Sequence, residues 1–168
     1  MHHLATLYHA LVAAGQAFGI TDFGTYAVNS LRMEKAYRGW GAELTNELTP
    51  FEAGLGRLVN FDKGDFIGRE GCLAARDQGC KIQLVYLAVD ALDIDVRGGD
   101  AVFFDGKVVG VTTSGGYGHA VGRSLAFAYV PAELASAACF EIQIFGERRA
   151  AEQLPLPAYD PDTLRLRA

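Results

Sequence analysis

Lys81-Ile82-Gln83-Leu84-Val85-Tyr86-Leu87-Ala88-Val89 is where the chain changes character. Ile82, Leu84, Tyr86 and Ala88 alternate with Gln83, Val85, Leu87 and Val89, so both faces are largely apolar and the segment reads as a buried strand. Downstream, Ala101-Val102-Phe103-Phe104 and Lys107-Val108-Val109-Gly110-Val111 flank Asp105-Gly106, a dipeptide that accepts the positive backbone angles of a two-residue hairpin turn. Ser124 to Val130 and Phe140 to Phe145 bring the set to four or five strands. A small antiparallel barrel or sandwich is expected from about residue 80 to 168.

Upstream of Lys81 the period is helical. Leu4, Leu7, Tyr8, Leu11, Val12 and Phe18 lie three and four apart, and the helix they define should end near Gly15 or Gly19. A second helix is expected after the cap-competent pair Thr21-Asp22, running through Leu31 to Arg32 and Glu34, with Arg38-Gly39-Trp40-Gly41 breaking it. Thr49-Pro50-Phe51-Glu52 has the form of a capping box with proline at the first helical position, which predicts a third helix over roughly Pro50 to Val59. A fourth, near Ile67 to Gln78, should stop at Gly79. The predicted class is therefore α+β, with a mostly helical part over 1–79 and a small antiparallel β-barrel over 80–168.

Composition narrows the function classes. The 168 residues are 50% hydrophobic and 21% charged, enough to fold without wholesale disorder. Fifteen Lys and Arg against twenty Asp and Glu give a net charge of −5 with no basic block, so nucleic acid is a poor partner. No apolar run approaches the length of a membrane span, so no membrane insertion is expected, and no secretory signal is visible at the start. Cys72, Cys80 and Cys139 are odd in number and without Cys-x-x-Cys spacing, which suits a reducing, cytoplasmic-type compartment, with an organelle import segment left open.

His2, His3, His9 and His119 form no ligand-spaced pair, so no metal site is expected. Ser114-Gly115-Gly116-Tyr117-Gly118 lacks the lysine and following helix of a phosphate cradle and reads as a tight connection between strands. Ser30 and Ser124 lack a nucleophile elbow, and Cys72 lacks a positioned base, so its thiol reads as buried. Arg32 is the informative cation. Beside Trp40 it is competent to clamp a carboxylate or the edge of a flat heterocycle; equally, it could pair with Glu34 or another acid while Trp40 sits in the core.

The string Ser30-Leu31-Arg32-Met33-Glu34-Lys35-Ala36-Tyr37-Arg38-Gly39-Trp40-Gly41-Ala42-Glu43-Leu44, followed by Thr49-Pro50-Phe51-Glu52-Ala53-Gly54-Leu55, resembles the folate-binding aminomethyltransferase family, that is, the T-protein of the glycine cleavage system and its relatives. Lys63-Gly64-Asp65-Phe66-Ile67-Gly68-Arg69-Glu70, Thr113-Ser114-Gly115-Gly116-Tyr117 and Pro157-Ala158-Tyr159-Asp160-Pro161 continue the match in order, over about Leu4 to Arg165. Trp40, where the T-protein itself usually has tyrosine, makes it similar in particular to the C-terminal folate half of dimethylglycine and sarcosine dehydrogenases. The resemblance implies a site in which tetrahydrofolate accepts a one-carbon unit from an aminomethyl or iminium donor, a small amine. It implies folate contacts at Arg32 and Trp40, and further ones at Tyr159 and Arg165. In such relatives the catalytic aspartate and a folate-contacting glutamate precede the region corresponding to His2, so no catalytic residue is assigned here. FAD is implied only on a separate upstream domain, since no Gly-x-Gly-x-x-Gly fingerprint occurs. The expected partners are a second copy or an upstream half, and the expected compartment is cytoplasmic, or the mitochondrial matrix in a eukaryote. A non-catalytic folate-binding or assembly module is the alternative. Relatives that bind folate without aminomethyl transfer carry a Lys-Gly-Cys form of the motif, and Lys63-Gly64-Asp65 here counts against that alternative.

Overall fold

A computed structural model describes residues 3–167. Helices come first: α1 (Leu4–Gly15), α2 (Thr25–Glu34) and α3 (Arg69–Gln78). Six strands follow: β1 (Ile82–Val89), β2 (Ala101–Phe104), β3 (Lys107–Gly118), β4 (Arg123–Pro131), β5 (Cys139–Ile144) and β6 (Glu147–Gln153). They close into an antiparallel barrel in the order β1-β4-β3-β2-β5-β6, with β6 returning to β1 through Leu87↔Gln153 and Val89↔Ala151. The architecture is α+β, as the sequence predicts.

The doubly apolar strand explains how the barrel carries the helices. Val85, Leu87 and Val89 of β1 fill the barrel with Ala126, Ala128, Val130, Phe140 and Ile142. Leu84, Tyr86 and Ala88 face outward and are covered by Met33 and Ala36, together with Leu125 and Phe127 of β4. Each such fully buried large side chain contributes about 1.5–3 kcal/mol, so α2 is fastened by the outer face of the sheet and not by its own helix propensity.

Several local expectations need correction. The Thr49–Glu52 capping box forms, with Glu52 N–H donating to Thr49 Oγ1 at 3.2 Å and Thr49 N–H to Glu52 Oε2 at 2.9 Å. The α-helix it announces does not propagate: Gly54 takes φ +68° and only a 3-10 turn, Gly56–Leu58, follows. α2 starts at Thr25 after Gly24 and not on Thr21-Asp22; Asp22 instead accepts the Tyr8 hydroxyl at 2.6 Å. The helix ends at Glu34, as expected, in a turn with Ala36 at φ +53° in which Tyr37 N–H donates to Arg32 O at 2.9 Å and Ala36 N–H to Met33 O at 3.0 Å.

The barrel has six strands, one more than the upper expectation. Asp105-Gly106 turns as expected, at φ +49° and +76°, but Phe145-Gly146 makes a second such turn, at +47° and +90°, and leads into β6. Ser114 to Gly118 is not a connection but the end of β3, paired with β4 as Gly115↔Ala126 and Gly116↔Leu125. Glycine is required at 115, where a Cβ would lie 2.4 Å from the Val96 carbonyl oxygen.

Candidate functional site

The C-terminal end of α2 is where the motif residues gather. Its last four carbonyls are all taken: Leu31 O by the N–H of the capping residue Lys35, Arg32 O by Tyr37 N–H, Met33 O by the Tyr86 hydroxyl at 2.7 Å, and Glu34 O by Tyr159 N–H at 3.0 Å. The last two donors come from the barrel and the C-terminal tail, so this helix end is bolted to both. Burial pushes the Tyr86 phenol up to about 12 despite an opposing hydrogen bond at the Ala158 backbone.

Arg32, on the final turn, donates through Nη1 to Glu43 Oε2 at 2.9 Å and to Tyr37 O at 3.2 Å, and through Nε to Asn29 Oδ1 at 2.9 Å. The acid partner is therefore Glu43 and not Glu34. Glu34 turns the other way and accepts Ala120 N–H at 2.6 Å, pinning the loop after β3. Glu43 is fully buried, whereas the Arg32 side chain keeps 19% of its exposure. The carboxylate also accepts Gly39 N–H at 2.7 Å, the Thr113 hydroxyl at 2.6 Å and the Ser114 hydroxyl. Two consecutive hydroxyls reach one carboxylate because β3 bulges between Thr112 and Ser114, where the register with β4 slips by one residue.

Arg32 has further donors at Nη2, and these meet no acceptor among the described residues, while a buried unpaired Nη2 is not found there either. One edge of a guanidinium held rigid on its other edges is thus open to a ligand. Gly39 lets the assembly close: a Cβ there would stand 3.3 Å from Glu43 Oε2 and 3.4 Å from Arg32 Cζ. Trp40 follows immediately and is 77% exposed, so the reading that places it in the core is wrong.

Tyr159 and Arg165 lie together on the tail, with the Arg165 Cζ 5.8 Å from the Tyr159 ring. The tail is tied to α2 by Lys35, whose Nζ donates to Asp160 O at 2.6 Å. Partial burial works to raise the Asp160 carboxyl, but hydrogen bonds from Leu164 N–H, Lys35 and Arg165 N–H outweigh it and hold the pKa below the usual range. The free donor edge at Arg32 and the uncovered indole at Trp40 are of the chemical kind that a flat, hydrogen-bonding pterin takes. Neither of them lines the 540 Å³ cleft bordered by the 35–38 turn.

Glu43 and Thr113 are not singled out in the sequence, and Ser114 only as the start of a glycine-rich run; their signal as partners of Arg32 is confined to the motif strings that contain them. His3, His9 and His119 are exposed, His2 lies outside the described residues, and no metal-holding group of three or more His, Cys, Asp or Glu occurs among the described residues. Cys72 and Cys80 are half-buried and Cys139 is exposed, so the buried-thiol reading of Cys72 holds only in part. No described helix is long and apolar enough to cross a membrane.

Comparison with known proteins agrees with this arrangement. Residues 1–63 match the GCVT N-terminal domain and residues 83–160 the glycine cleavage T-protein C-terminal barrel domain. The chain is 44% identical over 166 residues to mitochondrial dimethylglycine dehydrogenase of Mus musculus, covering 96% of this chain and 19% of that protein. It is 37% identical over 163 residues to an aminomethyltransferase of Streptomyces coelicolor, covering 94% of this chain and 44% of the relative. The crystal structure of the glycine cleavage system aminomethyltransferase T from Bartonella henselae superposes with a TM-score of 0.82 at 25% identity, over 94% of this chain and 44% of that one. The chain thus spans between a fifth and a half of the length of these relatives. With helices and barrel each matched in order, the chain belongs to the glycine cleavage T-protein family.

Proposed function

We propose that this chain forms the C-terminal part of a tetrahydrofolate-dependent one-carbon transfer protein of the dimethylglycine dehydrogenase type. Arg32 grips the pterin, Trp40 stacks on it, and Tyr159 and Arg165 contribute from the tail. The observation that carries the reading is the Arg32 guanidinium, immobilised by buried Glu43 with its Nη2 edge left for a planar hydrogen-bonding ligand; the exposed indole of Trp40, next in the chain to the Gly39 that packs against this pair, supports it. Tetrahydrofolate supplies the nucleophilic nitrogen that accepts the one-carbon unit; the residues here bind and orient it, which is the main demand of such a transfer.

The reading extends to domain limits near 79 and 80, to a small amine as donor, and to a further protein segment that completes the site and carries the reacting carboxylate. FAD belongs to the reading only on such a separate segment. Leu4, Leu7, Leu11, Phe18, Phe23, Tyr26 and Leu31 are each at least half exposed on the helical part, an apolar surface that suits a covering partner. The compartment is the cytoplasm, or the mitochondrial matrix in a eukaryote.

Trp40 is the one tryptophan, so its emission reports on the site directly. Tetrahydrofolate should quench or shift it saturably, and Arg32→Ala should weaken binding about ten-fold or more. Because Arg32→Ala also disturbs Glu43, Trp40→Leu on the exposed side chain is the second variant, read by calorimetry, and should weaken binding as well. No saturable signal at millimolar ligand, or unchanged affinity in both variants, overturns the assignment.

A further inference from the structure

The 540 Å³ cleft lies between the turn after α2, the outer faces of β1 and β4, and the C-terminal tail, and it does not include Arg32 or Trp40. Its size is that of a small-molecule site, roughly 300–1,000 Å³. Three cations line it, Lys35, Arg38 and Arg57, and no Asp or Glu does, in a protein whose net charge is −5. Lys35 is accounted for by Asp160. Arg38 is not: it is half-buried, its Nε and Nη1 donate only to the carbonyls of Ala53 at 3.1 Å and Ala36 at 3.0 Å, and its Cζ lies 5.8 Å from the Phe127 ring centroid. Arg57 is exposed and has no carboxylate in salt-bridge reach among the described residues.

A half-buried guanidinium is held here by neutral acceptors, with a second guanidinium facing the same space. Burial, then Arg57, pulls the Arg38 pKa below its usual value, against smaller opposing effects of Tyr129 and of the Glu43 carboxylate, which makes no hydrogen bond to it. Apolar groups complete the walls, Phe127 and Leu84 from the sheet and Leu156 from the tail. We infer that this cleft is a binding site for a small organic carboxylic acid, whose carboxylate bridges Arg38 and Arg57 and whose apolar body lies against Phe127 and Leu156. The inference stands apart from the folate reading, since the two sites share no residue.

Benzoate is the probe, titrated into the 15N-labelled 168-residue chain, with neutral benzamide and inorganic phosphate as companions. Benzoate should move the Gly54 and Leu156 amides saturably in the millimolar range, with benzamide and phosphate each about ten-fold weaker. Arg57→Gln, on an exposed side chain that makes no hydrogen bond or ion pair among the described residues, should weaken benzoate about ten-fold, and Arg38→Lys should weaken it by loss of the two-pronged donor. Absence of saturable shifts at these amides, equal binding of benzamide, or indifference to Arg57→Gln overturns the site. Phosphate binding as tightly as benzoate overturns the organic acid in favour of a bare oxyanion. The Trp40 titration uses none of these residues, so either site can fail alone.

Discussion

Neutralising Glu43 asks whether Arg32 is held by charge or only by shape. In Glu43→Gln the side-chain amide can turn so that its oxygen still accepts from Arg32 Nη1 and Gly39 N–H, while its nitrogen donates to Thr113 and Ser114, whose hydroxyls reverse into acceptors. Each contact survives in form, and what disappears is charge assistance. Hydrogen bonds to charged groups contribute about 1.5–3 kcal/mol against about 0.5–1.5 for neutral ones, so the three bonds from neutral donors (Gly39, Thr113 and Ser114) each lose about 1 kcal/mol; relief of the carboxylate's burial offsets part of that and leaves a net cost of about 2 kcal/mol. For a chain of 168 residues that lowers the melting temperature by roughly 4–8 °C.

Arg32→Met attacks the other partner and should cost more, about 3 kcal/mol or above, because Glu43 is fully buried and cannot turn to water whereas the Arg32 side chain retains 19% exposure. The decisive arm is the double variant. Once Arg32 is gone, the carboxylate is a buried charge without a counter-ion, so adding Glu43→Gln should restore about 1–2 kcal/mol where alone it destabilises. Urea unfolding of the four proteins, followed by far-ultraviolet circular dichroism, reads all four values. A Glu43→Gln cost that is the same with and without Arg32 would refute the argument that this pair is coupled by charge.

Ultraviolet titration should find Tyr86 and Tyr129 ionising near 12, since burial raises both phenols; stability they contribute below pH 10 is lost as pH climbs from 10 toward 12, and ionisation of every tyrosine near 10 contradicts the packing. Asp160 has a depressed pKa, so the stability it adds is present above the ordinary carboxylate value of about 3.9 and is lost as pH falls through its lower folded value; Asp160→Asn should abolish that acid loss and speed amide exchange in the tail. Gly115→Ala forces a methyl against the Val96 backbone and should destabilise by about 1–3 kcal/mol or more, whereas Gly64→Ala, with nothing within 4 Å, should show only the smaller cost of its φ of +92°; equal losses in chemical denaturation would contradict the close approach.

What the sequence disclosed follows from how local each signal is. β1 and the Asp105-Gly106 hairpin are written in adjacent residues, so their period and turn chemistry suffice. The Thr49–Glu52 box is equally local and forms, yet the helix beyond it is cancelled by Gly54 and Gly56, where a Cβ at 56 would stand 2.9 Å from Phe51. β6 reads Glu-Arg-Arg-Ala-Ala-Glu-Gln, with no β-branched residue, and its turn begins with phenylalanine, so nothing nearby announced a strand that only pairing with β1 and β5 stabilises. At the site, Arg32 is legible from its own neighbourhood beside Trp40 and from a family string, but its anchor is not. The acid is 11 residues away and its hydroxyl partners are 70 and 71 residues from it, joined by a strand irregularity that composition cannot reveal.

Because β1 is greasy on both sides, sliding it by a single position against β4 would swap the set inside the barrel for the set beneath α2 without exposing much oil to water. Hydrophobicity therefore leaves the alignment nearly degenerate. Polar contacts must break the tie: the Tyr86 hydroxyl finds the Met33 carbonyl, and the Gln83 amide finds those of Phe51 and Glu52, in one alignment and lose them in the other. The carbonyl that Tyr86 reads belongs to the helix turn carrying Arg32, so the choice of strand alignment and the aim of the guanidinium are settled by the same bond.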